Sequence, residues 1–353
     1  MRTRIAVIGC GSWATEAHLP ALVANPDAEL VAVVDPSEDA RRAAAERFGV
    51  ERAYASHEEL FADGPAPDGV IVAIPHAYHF AAARAALEAG AHVLVEKPMT
   101  IEPDDARELV RLARERGREL LVGYTFHYNR QAHELRELIR GAALGEIELA
   151  TCLFASLVRD YYAGDTESYQ PELKLARAPL SNTYSDPKLA GGGQGQTQVT
   201  HSAALLLWLS GLRPRRVAAF VENRGLPVDL LDAAAVSFEG GAAGTLASTG
   251  NRPPGRDDFL HLHIAGTEGL AHFEVLEGRA TVYRHDGTRI EIEGPPAPEI
   301  YPHWGPSQNL VDLALGRGEN RAPGELGATV VALLDGMYRS AAADGVPVDL
   351  SRA

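Results

Sequence analysis

Cysteine is almost missing from this chain of 353 residues, which has only Cys10 and Cys152. Two thiols cannot build a disulfide framework, and neither lies at a metal-ligand spacing, so a reducing cytoplasm is the expected compartment. Long apolar runs are missing too. Met1-Arg2-Thr3-Arg4 leads into only four apolar residues, Ile5 to Ile8, and the longest later run is Ala203 to Leu209. Neither reaches the length of a signal-peptide core or a membrane span. Basic residues are outnumbered, 33 against 48 acidic, for a net charge of −15. That balance argues against nucleic acid and anionic lipid as partners. Lysine is scarce as well: Lys97, Lys174 and Lys188 stand among thirty arginines. Each lysine therefore raises the question of what a guanidinium could not do in its place.

What is present is an ordinary globular composition, 46% apolar and 23% charged, with 34 glycines and 22 prolines spread along the chain. The length exceeds what one hydrophobic core usually supports, so two domains are expected. The first third alternates short β-branched runs (Ile5 to Ile8, Leu30 to Val34, Val70 to Ile74, Val93 to Val95, Leu120 to Val122) with helical stretches (Ser12 to Ala24, Ser37 to Phe48, Ala77 to Ala89, Pro103 to Arg116). Alternation of this kind predicts an α/β, doubly wound parallel sheet over residues 1–123. After Gly123 come a polar helix near Gln131 to Arg140, a strand from Ile147 and an irregular stretch from Val158 to Ala190. An apolar helix from Thr197 to Leu209, a run of closely spaced strands and two closing helices complete the chain. Residues 124–353 therefore read as an α+β domain built on a large, mostly antiparallel open sheet, with the strands following one another as a meander.

Gly9-Cys10-Gly11-Ser12-Trp13-Ala14 follows a buried strand and opens a helix. Gly9 permits the tight turn, Gly11 lets a pyrophosphate approach the backbone, and the amides of Ser12 and Trp13 open the helix toward it. Asp35, at the end of the next strand, is placed to accept hydrogen bonds from an adenosine ribose, which favours NAD over NADP. Glu96-Lys97-Pro98 ends a buried strand on the side where open α/β sheets bind ligands, so Lys97 is expected beside the nicotinamide; a purely structural pair with Glu96 is the competing reading. Pro75, His76 and His79 end another strand on that side and join the cofactor-side set, although His79, at a helix start, also reads as a backbone hydrogen-bonder.

These motifs, with Ala86-Leu87-Glu88-Ala89-Gly90 and above all Glu96-Lys97-Pro98, resemble the Gfo/Idh/MocA family over essentially the whole chain. The resemblance implies a Rossmann domain and a second, open-sheet domain through which homodimers or homotetramers form. It also implies reversible hydride transfer between nicotinamide and a sugar, sugar derivative or cyclitol, with Lys97 in the catalytic set. The family's second catalytic stretch, G-G-G-x-x-x-D-x-G-x-H, matches Gly191 to His201, but Thr197 replaces the aspartate and Val199 the later glycine. His201 carries over as the acid/base. Thr197 cannot supply the carboxylate and is expected to orient substrate through its hydroxyl.

Tyr124, His127, Tyr161 and Tyr184, together with Tyr128, Tyr162 and Asn182, are further expected sugar contacts, and Lys174 or Lys188 is expected near the substrate. His261 and His263 share one strand face without the partners a metal needs. Two other readings stay open: glycoside cleavage through transient C3 oxidation with bound NAD, and a dinucleotide- or sugar-sensing regulator without catalysis.

Overall fold

The computed structural model describes residues 2–165, 182–294 and 299–351, and these fall into two compact units. The first joins Met1–Gly123 to His303–Ala328, and the second contains Tyr124–Gly164, Tyr184–Pro302 and Thr329–Ala353.

Six strands build the first unit: β1 (Thr3–Ile8), β2 (Ala28–Val34), β3 (Ala53–Tyr54), β4 (Gly69–Val72), β5 (His92–Val95) and β6 (Leu120–Val122). Their order is β3-β2-β1-β4-β5-β6, every pair parallel, which places the topological switch point between β1 and β4. The connecting helices carry local start and stop signals. Ser37 caps Glu38–Phe48 by accepting from the Ala40 amide, Pro103 opens Pro103–Arg116, and Gly49 and Gly117 end these helices with φ of 69° and 60°. The strand β3 and the helix His57–Ala62 escape the sequence reading because each is too short to show a period.

One boundary expectation needs correction. Helix Gly305–Ala314, assigned from sequence to the second domain, returns to the first unit, where Leu310 and Val311 pack with Ile5, Ile71, Leu94 and Leu121. An apolar helix face does not encode which sheet it covers.

The second unit contributes β7 (Ile147–Ala155), β8 (Pro214–Glu222), β9 (Leu231–Phe238), β10 (Ala243–Thr249), β11 (Phe259–Gly266), β12 (Gly269–Glu274), β13 (Arg279–Arg284), β14 (Arg289–Glu293) and β15 (Val348–Asp349). The order β14-β13-β12-β11-β7-β10-β9-β8-β15 corrects the simple meander: β7 inserts between β10 and β11 and pairs with β10 in parallel. The segment from Gly250 to Asp258, with Pro253-Pro254-Gly255, is too long and too proline-rich for a hairpin, so β10 and β11 part and admit the earlier strand. Asp232, Ala234, Val236 and Phe238 of β9 are buried while Ala233 and Ala235 between them are exposed, so one face of the sheet is covered and the other open. Helix Thr200–Ser210, buried from Thr200 to Leu209, packs against β7 on the covered face.

Candidate active site

In the first unit, β1 is followed by Gly9, whose φ of 106° is open to glycine, and a Cβ there would overlap the Ala73 carbonyl. Gly11 differs: a Cβ built on it meets nothing within 4 Å. This open space lies at the start of the helix formed by residues 12–24, where Ser12 and Trp13 are half-buried. Asp35 accepts from the Cys10 amide (2.9 Å) and the Ser37 amide (2.9 Å), which ties the glycine turn to the end of β2. Each carboxylate oxygen has a lone pair left for a ribose hydroxyl. An open Cα, helix-opening amides and a carboxylate at the end of β2 are the features a dinucleotide needs, so the residues fit NAD.

Beyond β5, Glu96 is buried and Lys97 half-buried. Oε1 of Glu96 bonds the Trp13 indole N–H (2.9 Å) and the His18 Nε2 (2.9 Å), and His18 Nδ1 in turn meets the Ser307 hydroxyl at 2.8 Å. Burial pushes the Glu96 carboxyl up, but the His18 hydrogen bond and charge, the Lys97 ammonium and the Trp13 N–H together hold it below the usual carboxylate range. Desolvation pulls Lys97 below the ordinary lysine value of 10.5, with Glu96 opposing. Gly123 is required here because a Cβ would overlap the Glu96 carboxylate. The sequence reading missed His18 and Ser307, which lie 289 positions apart and share no local signal.

His79, placed with the cofactor-side residues but read from sequence as a backbone hydrogen-bonder, is bonded in that way. The ring is fully buried, with Nδ1 2.8 Å from the Pro98 carbonyl and Nε2 2.8 Å from the Ile74 carbonyl, so no ring nitrogen is left for a ligand. Burial lowers its pKa, and a neutral ring donates to one of these carbonyls at a time. It joins the chain after β4 to the chain after β5. Pro75 is half-buried there, and His76 packs 5.6 Å from His79.

In the second unit, His201 sits one residue into helix Thr200–Ser210, 6% exposed, with Phe126 (5.6 Å) and Tyr124 (6.5 Å) edge-on to its ring. Tyr124 is buried, and desolvation raises its hydroxyl pKa. His127, expected to touch substrate, is wholly buried and stacked on Trp208 at 4.9 Å, while the Arg136 guanidinium lies 4.1 Å from the same indole. Thr197 is also committed within the fold. Its hydroxyl donates to the Gly193 carbonyl (2.9 Å) and contacts the buried Tyr162 hydroxyl, which meets Gln194 Oε1 at 3.0 Å. Two hydroxyl protons serve these three contacts, so Thr197 has no spare donor. Tyr161 stacks on Tyr184 at 4.5 Å. Asn182 and Lys188 are exposed, and Lys174 lies outside the described residues.

Residues 3–124 match the oxidoreductase family model with an NAD-binding Rossmann fold, and residues 132–272 match the GFO/IDH/MocA C-terminal domain. The chain is 37% identical over 151 residues to dTDP-3,4-didehydro-2,6-dideoxy-alpha-D-glucose 3-reductase of Streptomyces violaceoruber, covering 43% of this chain and 44% of that protein. It is 34% identical over 148 residues to D-glucoside 3-dehydrogenase of Escherichia coli K12, covering 42% of each. The chain thus spans less than half the length of these two relatives. Among solved structures, GenD2 from gentamicin A biosynthesis, in complex with NAD, is 26% identical, covers 99% of this chain and 96% of that one, and superposes with a TM-score of 0.77. Two successive family models cover the glycine turn, Asp35, the Glu96-Lys97-Pro98 stretch and His201, and the chain belongs to the GFO/IDH/MocA oxidoreductases with their NAD-binding Rossmann fold.

Proposed function

We propose that the protein is an NAD-dependent oxidoreductase that moves a hydride between nicotinamide and a hydroxyl or keto carbon of a sugar, sugar derivative or cyclitol. The observation that carries this reading is Lys97, half-buried just past β5 at the carboxyl end of a Rossmann sheet, with its pKa drawn below the ordinary lysine value. Two relatives whose names describe sugar oxidoreduction support the substrate class.

Bound NAD supplies the hydride acceptor or donor. Gly11 and the amides that open the helix after β1 would hold its pyrophosphate, and Asp35 would accept from its ribose hydroxyls. Lys97 donates an N–H to the reacting oxygen, and desolvation, which draws its pKa below the ordinary lysine value, makes that proton easier to share. In the oxidative direction His201 takes the substrate hydroxyl proton at an imidazole nitrogen. Two buried thiols, Cys152 pushed up to about 12 by desolvation, suit a reducing cytoplasm. The open sheet face, which exposes Leu149, Leu153 and Phe220, is the surface through which copies associate.

A panel of sugars, cyclitols and their keto forms, with NAD and NADH followed by nicotinamide absorbance, tests this reading. Lys97→Ala and His201→Ala should each lower kcat at least about a hundredfold, as removal of a general acid or base does, while NAD binding persists. Unchanged turnover in either variant overturns its role, and turnover without net NADH formation points to transient oxidation instead.

A further inference from the structure

Beneath the stretch that leads into the His201 helix lies a buried carboxylate that the hydride chemistry does not use. Asp229, 3% exposed, receives the Gly193 amide on Oδ1 at 2.6 Å and the Gly195 amide on Oδ2 at 2.7 Å. The Tyr338 hydroxyl donates to Oδ1 at 3.0 Å, and the Asp229 carbonyl accepts the Gln194 amide at 2.9 Å. Three consecutive amides of the glycine stretch therefore end on one residue. The glycines are what allow this approach. A Cβ on Gly193 would overlap the Asp229 carbonyl, and a Cβ on Gly192 or Gly195 would overlap the Tyr338 hydroxyl. The chain then continues without a break through Gly195–Val199 into Thr200–Ser210, so fixing the stretch fixes the helix entry that carries His201.

We infer that Asp229 is the positioning residue of His201: one carboxylate clamps the amides of Gly193 and Gly195 and so sets where the helix, and the imidazole one residue into it, begins. This rests on the reading of His201 as the acid/base. Two oxygens each facing an amide donor demand a carboxylate, because an asparagine would turn its NH₂ against one of the N–H groups. The neighbouring Asp232 is also buried, and desolvation with the adjacent Asp229 pushes its carboxyl well above the usual range. The titratable groups facing this pair are Tyr338 and, beyond that, Tyr162.

Two isosteric substitutions separate the clamp from simple packing: Asp229→Asn and Asp232→Asn. Tyr338→Phe is the milder variant in case Asp229→Asn fails to fold. Amide hydrogen exchange by mass spectrometry reads the clamp directly. Asp229→Asn should speed exchange in peptides containing 193–199 while the first unit keeps its protection, and Tyr338→Phe should do the same to a lesser degree. Turnover per NAD-binding site should fall about 10- to 100-fold in Asp229→Asn, the scale of a misplaced catalytic group, with the NAD Kd and the substrate KM unchanged. Asp232→Asn, which leaves the Asp229 carboxylate and its amide donors in place, should stay within about threefold of the parent in both readouts. The inference is overturned if exchange at 193–199 is unchanged in Asp229→Asn, or, should that variant not fold, in Tyr338→Phe. Equal damage from the two asparagine variants overturns it as well. The reading of His201 fails separately, through unchanged turnover in His201→Ala, and leaves the exchange result intact.

Discussion

Single residues divide here into those whose role is local and those whose role is decided by what stands opposite. Gly9 and Gly11 are both readable from the strand-to-helix context, yet they do different work. Gly9 combines φ of 106° with contact to the Ala73 carbonyl, so Gly9→Ala should cost on the order of 3 kcal/mol or more of folding stability, read by urea denaturation. Gly11→Ala has room for its methyl group and should fold with an unchanged midpoint, but the methyl would fill the space proposed for the pyrophosphate. Its NAD Kd should rise at least about tenfold by calorimetry, equivalent to about 1.4 kcal/mol; equal effects of the two substitutions on stability would refute this division of labour. Lys97 and His201 were legible as candidates from motif and strand end. The partners of His79 and His127 were not, because only the packed structure shows two carbonyls facing one ring and an indole covering the other.

Elements are held together by polar contacts that no periodicity announces. The Ser307–His18–Glu96 chain links the helix after β1, the end of β5 and helix Gly305–Ala314 within the first unit. All three side chains are buried, so His18→Ala strands two polar groups and should cost about 2–4 kcal/mol, while Ser307→Ala should cost about 1 kcal/mol. The pH dependence has a definite sign. Glu96 is more acidic folded than unfolded, so its contribution is fully present above its ordinary value of 4.5 and is lost as pH falls through its lower folded value. Denaturation from pH 7 down to pH 3 should show this loss in the parent. Glu96→Gln should be less stable at pH 7 and flatter in acid; an unchanged slope would mean that Glu96 is not held in its charged form. Helix and strand types along these elements follow from apolar period and caps, whereas the short β3 and the parallel β7–β10 pairing do not.

For the molecule as a whole, the open face of the nine-stranded sheet exposes the apolar side chains of Leu149, Leu153, Phe220 and Tyr283, the surface proposed for association. Phe220→Asp with Leu153→Asp should reduce the mass measured by sedimentation to one protomer without loss of NAD binding; an unchanged mass would remove this face from the interface. No helix among the described residues is long and apolar enough to cross a membrane. By itself the sequence determined the parallel sheet with its glycine turn and pointed to two domains and to candidate residues for hydride chemistry, because strand burial, helix caps and glycine turns are set by neighbours a few positions apart. Tertiary structure alone decided that helix Gly305–Ala314 returns to the first unit, that β7 enters the middle of the second sheet, and that Asp229 receives the amides of the glycine stretch. Each of these depends on surfaces or charges from distant parts of the chain meeting in space, and such complementarity leaves no periodic trace in the sequence.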